Sequence, residues 1–109
     1  MDKKLNYHNA IMTFLNEYVP IKPSGWKNVQ NQLISDIANG HYQLVRVGWH
    51  NGEHIHYAVF HFDLVGDKVW IQQNRTDLPI VDELEALGVR RNDIVLAFQE
   101  PTKHQAQAS

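Results

Sequence analysis

The sequence predicts a small α+β domain: an N-terminal helix, a four-stranded antiparallel meander sheet, a second helix and a short last strand. Three observations carry this expectation. Apolar residues recur at helical spacing near the N-terminus, and β-branched and aromatic residues crowd the stretch from His41 to Gln73. Two turn dipeptides, Asn51-Gly52 and Gly66-Asp67, divide that stretch into hairpins. Asn-Gly suits a type I′ turn, whose central residues both need positive φ, and a leading Gly suits type II′.

Taken in order, Tyr7, Ile11, Phe14, Leu15 and Tyr18 fall at i, i+4, i+7, i+8 and i+11, one face of a helix. Pro20 and Pro23, followed by Ser24-Gly25, stop it and open a loop. Residues 29–37 are weakly strand-like and end at Asn39-Gly40, read here as a third turn. Strands follow at 41–50, 53–65 and 68–74. Leu78 to Leu87 returns to helix, with Thr76 or Asp77 as cap, Pro79 in the first turn and Gly88 at the C-terminal end. Residues 93–98 are too short and too β-branched for a helix and form the last strand. The whole chain, 1–109, is one domain, with 101–109 a polar tail.

Two-residue turns fix which residues face each other. Gly66-Asp67 pairs Leu64 with Val69 and Phe62 with Ile71; Asn51-Gly52 pairs Val45 with Ala58 and Val47 with His56; Asn39-Gly40 pairs Ile34 with Val45. Strict alternation then puts Ile34, Val45, Val47, Ala58, Phe60, Phe62, Leu64, Val69 and Ile71 on one face. The opposite face holds Leu33, Ile37, Tyr42, Leu44, Tyr57, Val59 and Trp70, interrupted by Arg46, His61 and Asp63. This face is too apolar to be solvated, so it is covered by helices on both sides of the sheet, or by helices on one side and a partner on the other.

A cysteine count of zero excludes disulfides, thiolate metal sites and cysteine nucleophiles, and suits a reducing cytoplasm. The N-terminus lacks the apolar core of a signal peptide, and no stretch has the roughly 20 apolar residues of a membrane span. Net charge is −2 and the basic residues are scattered, so autonomous DNA binding is disfavoured and a protein partner favoured.

Candidate chemistry is thin. His54 and His56 form an H-x-H pair beside Trp49, weak candidates for a metal because a zinc site needs a third or fourth ligand; His50 and Glu53 point to the other face. The expectation is therefore no metal and no cofactor. His61 and Asp63 could orient an acid/base pair, but same-face i, i+2 side chains are too far apart to bond reliably and no nucleophile is near. Ser24 and Ser35 lie in no nucleophile elbow, and phosphate-binding glycine loops are missing. Asp82, Glu83 and Glu85 read as the wet face of the second helix, and Arg90-Arg91 as an offset to its dipole. Trp26 reads as a lid or a partner anchor.

The strings HYQLVRVGW (41–49), HFD (61–63), KVWIQ (68–72) and DIVLAF (93–98), with Thr76-Asp77, Glu83-Leu84 and Gly88, resemble the XisI family, the fdxN element excision controlling factors of cyanobacteria. The resemblance spans Tyr7 to Pro101 in order and spacing. It departs at Arg75, where the family pattern has Gly before the Thr, and at Ala97-Phe98, where it has Gly-Phe; Lys103 stands for the basic residue after the late Pro. The resemblance implies an accessory protein without catalytic residues, acting with an XisH-type companion and a site-specific recombinase in programmed DNA excision. DNA would be met only through that complex. The interface candidates are Tyr42, Leu44, Arg46, Tyr57, His61, Asp63 and Trp70, serving the companion or a homodimer. Two alternatives stay open. One is weak direct DNA binding through Arg46, Arg75, Arg90, Arg91 and Lys103; the other is a hydrolase or metal site around His54, His56, His61 and Asp63.

Overall fold

Helix α1 spans Lys3–Tyr18 in a computed structural model that describes residues 2–99. The Asp2 carboxylate caps it, accepting from the backbone N–H of Lys4 at 3.0 Å and of Leu5 at 3.4 Å. Its predicted apolar face is the buried one: Tyr7, Ile11, Phe14 and Leu15, joined by Ala10. Pro20, with no N–H to continue the ladder, follows directly on the end of the helix at Val19.

Strands β1 (Val29–Asp36), β2 (His41–His50), β3 (Glu53–Val65), β4 (Lys68–Asn74) and β5 (Ile94–Leu96) lie side by side in chain order. The first four are antiparallel. The last runs parallel to β4, because helix α2 (Ile80–Ala86) carries the chain back to the start of the sheet edge. Two predicted registers are present: Val45 faces Ala58 and Val47 faces His56, while Leu64 faces Val69 and Phe62 faces Ile71. The third is corrected. Ile34 faces Gln43, because residues Ile37–Asn39 form a 3-10 turn closed by Gly40 instead of a two-residue hairpin.

Two β-bulges overturn the predicted division into faces. Ladder partners step from Val45–Ala58 to Leu44–Phe60, leaving Val59 as an extra residue on β3. They step again from Phe62–Ile71 to His61–Gln73, leaving Gln72 extra on β4. Each extra residue inverts the alternation beyond it. Tyr42 and Leu44 therefore join Phe60, Phe62, Leu64, Val69 and Ile71 in one core beneath α1, with Ile80 and Leu84 of α2 in the same cluster. Val45 is buried outside that cluster, and Val47 and Ala58 share its side of the sheet. Phe14 meets Phe60 edge-on at 5.0 Å, and Tyr18 meets the same ring at 4.9 Å. Burial of each such side chain contributes about 1.5–3 kcal/mol. Both helices thus cover one face; among the described residues no helix covers the other.

Gly48 is required where β1 and β2 meet: its φ is 145°, and a Cβ there would overlap the Asn28 carbonyl and come within 2.7 Å of Val29 Cα. Helix α2 begins two residues later than expected, with Pro79 at the cap position and no side-chain cap bond. Thr76 shapes the preceding loop, its Oγ1 accepting from Leu78 N–H at 3.1 Å. Gly88, at φ 107°, follows the helix as expected, and Val89 N–H closes on the Leu84 carbonyl at 3.0 Å. Asp82 and Glu85 accept from Arg91, the latter at 3.0 Å. Trp26 is half-buried and stacks on His50, centroids 4.4 Å apart. The predicted tail, 101–109, lies outside the described residues.

Candidate functional site

The seven interface candidates do not share a surface. Tyr42 and Leu44 are 1% and 0% exposed beneath α1, so the chain's own helix occupies the surface assigned to a partner. Arg46, also buried, reaches the loop that follows α1. Its Nε donates to Asn31 Oδ1 at 2.9 Å, and its guanidinium to Tyr57 Oη and the Ile21 carbonyl, each at 3.3 Å. Asn31 in turn donates to the carbonyls of Val19 at 3.0 Å and Ile21 at 2.5 Å. The guanidinium thus meets neutral oxygens, and Asn31 links it to the Val19 carbonyl at the end of α1. Tyr57 is half-buried on the same side, with Arg75 over its ring at 4.3 Å. These four residues build the fold. The bulge at Val59 separates them from the other three.

His61, Asp63 and Trp70 do lie on the helix-free face, and there the structure assembles a cluster. Asp63 Oδ1 accepts from His61 Nε2 at 2.9 Å and from His41 Nδ1 at 2.8 Å; Oδ2 accepts from Gln72 Nε2 at 3.1 Å. The i, i+2 pair expected to be too far apart is therefore bonded. Burial alone would raise the Asp63 carboxyl, but the hydrogen bonds from His41, His61 and Gln72, with the His61 charge, hold it below the ordinary carboxylate range. The bond to Asp63 raises His41 in turn. His41 and Gln72 were not foreseen. His41 faces Asp63 only because Val59 is bulged, and Gln72 is the extra residue of the second bulge. The consecutive apolar pair Val59-Phe60, both buried, is the sequence signal that alternation breaks there.

His54 and His56 stack with centroids 6.3 Å apart, and His54 lies 5.1 Å from Trp49; among the described residues no third ligand joins them. Of the cations considered for DNA, three are engaged elsewhere, Arg46 in the core, Arg75 on Tyr57 and Arg91 on Asp82 and Glu85, while the Arg90 side chain is exposed. Lys103 lies outside the described residues. Two clefts, of about 420 Å³ beside Lys22, Lys27 and Gly48 and about 340 Å³ beside Asn6, Asn9 and Leu87, do not include the Asp63 cluster. Among the described residues no helix is long and apolar enough to cross a membrane.

Fold and site together define a class: a small α+β protein with both helices on one face of a mixed five-stranded sheet and a polar and aliphatic surface on the other. The sequence matches the model of the XisI family, described as XisI protein, over residues 1–108, and the chain belongs to that family. A crystal structure of a XisI-like protein from Anabaena variabilis ATCC 29413 is 37% identical, with a TM-score of 0.86 over 96% of this chain and 95% of that one. That of the fdxN element excision controlling factor XisI from the same organism is 28% identical, with a TM-score of 0.78 and the same coverage. No curated protein matches the sequence.

Proposed function

We propose that this chain is a non-enzymatic accessory factor of programmed DNA-element excision that acts by binding a protein, an XisH-type companion of the recombinase, through the helix-free face of its sheet. The observation that carries this reading is the surface itself. Val47 and Trp49 lie along β2, flanked across the ladder by His56 and His54. Trp49 is 57% exposed, and Ile34 on β1 is 50% exposed. An aliphatic and aromatic strip rimmed by glutamine and histidine has the composition of a protein-binding patch. Membership of a family with an excision controlling factor supplies the process. DNA is reached through the complex, consistent with a net charge of −2.

The test is co-purification with an XisH-type protein, with light-scattering mass on the recovered species. The reading expects a stoichiometric complex that Val47→Asp disrupts while Tyr42→Phe leaves it intact. Recovery of the chain alone, as monomer or homodimer, would overturn it.

A further inference from the structure

His61 and Asp63 alternate on β3 and project to the helix-free face, and the bulge at Val59 sets His41 of β2 directly opposite Asp63. Three donor atoms from two neighbouring strands converge there, all within 4.8 Å of one another. We propose that His41, His61 and Asp63 bind one divalent transition-metal ion of the zinc class.

The donor set is two imidazole nitrogens and one carboxylate oxygen, without thiolate. This suits zinc, cobalt or nickel, and not calcium or magnesium, which take oxygen ligands. A tetrahedral site with bonds of about 2.0–2.2 Å places neighbouring donors roughly 3.4 Å apart. His41 Nδ1 and His61 Nε2 stand 2.8 and 2.9 Å from Asp63 Oδ1. Each separation opens by only about half an ångström to admit the ion, within reach of side-chain rotation. An ionised carboxylate only accepts, so both facing ring nitrogens now carry a proton. A neutral ring ligates by moving that proton to its other nitrogen, and a charged ring by releasing one. Gln72 holds Oδ2 at 3.1 Å and fixes the carboxylate plane, as outer partners of metal ligands do. His41 is exposed and His61 half-exposed, so the ion has an entry path and a coordination position left for water.

This goes beyond the accessory reading and holds whether or not the face binds a companion protein. The test is titration of the full chain with Co2+, read by visible absorption, followed by displacement with Zn2+. One equivalent is expected to give tetrahedral cobalt bands. His61→Ala and His41→Ala each weaken binding at least about a hundredfold, Gln72→Ala weakens it about tenfold, and the double variant His54→Ala/His56→Ala leaves it unchanged. Circular dichroism confirms that each variant is folded. No cobalt spectrum, or a spectrum lost only with His54 and His56, overturns the proposal.

Discussion

Asp93 and Asp63 each gather several donors, on opposite sides of the same sheet. Asp93, 8% exposed, accepts from Tyr7 Oη and has Lys3 and Lys68 ammonium groups at 3.2 and 3.7 Å. Tyr7 Oη also accepts from Arg90 N–H at 3.3 Å, so the group ties the first turns of α1 to the start of β5. Burial alone would raise Asp93, but the Tyr7 and Lys3 bonds and the two ammonium charges hold it low; burial raises Tyr7. Asp63 has two imidazoles in place of the tyrosine and lysines, and open surface in place of a helix. Lysine and tyrosine keep their protons near neutrality, whereas imidazole gives its proton up there. One carboxylate is a latch, and the other is a set of exchangeable ligands.

The sharpest way to break that contrast is to truncate each face. Phe60→Ala should cost about 3–5 kcal/mol in urea denaturation and Val47→Ala about 1 kcal/mol or less; equal losses would mean that the open face is also core. Asp93→Ala should cost about 2 kcal/mol, since it leaves the buried Tyr7 hydroxyl without its acceptor, against about 1 kcal/mol for Asp63→Ala. Arg46→Ala should cost about 2 kcal/mol and leave binding of a companion unchanged once the variant is folded, the opposite of Val47→Asp. The latch should also show in acid. A carboxylate depressed on folding contributes stability that is complete above its ordinary pKa of about 4 and is lost as pH falls through the lower folded value. Asp93→Asn should flatten the melting temperature below about pH 4; an unchanged acid limb would show that Asp93 gains nothing from its cations. Smallest is Trp49→Ala, within about 0.5 kcal/mol of the parent in stability, with its effect expected in companion binding alone.

How much of this was legible follows from what each feature depends on. Helix α1, the strand limits of β2, β3 and β4, and two hairpin registers rest on periodicity and turn chemistry within a few residues, and all were readable from residues 1–74. The faces were not. One extra residue at Val59 inverts every side chain beyond it, and the choice to bulge is made by α1, whose Phe14 and Tyr18 need Phe60 on their side together with Tyr42 and Leu44. The same inversion places His41 opposite Asp63 and hides Arg46 against the loop that follows α1. Local sequence therefore determined the elements and their turns, because those energies are short-ranged. Only packing across the sheet decided which residues became core and which became site, because a bulge is settled by the fit of side chains far apart in the chain.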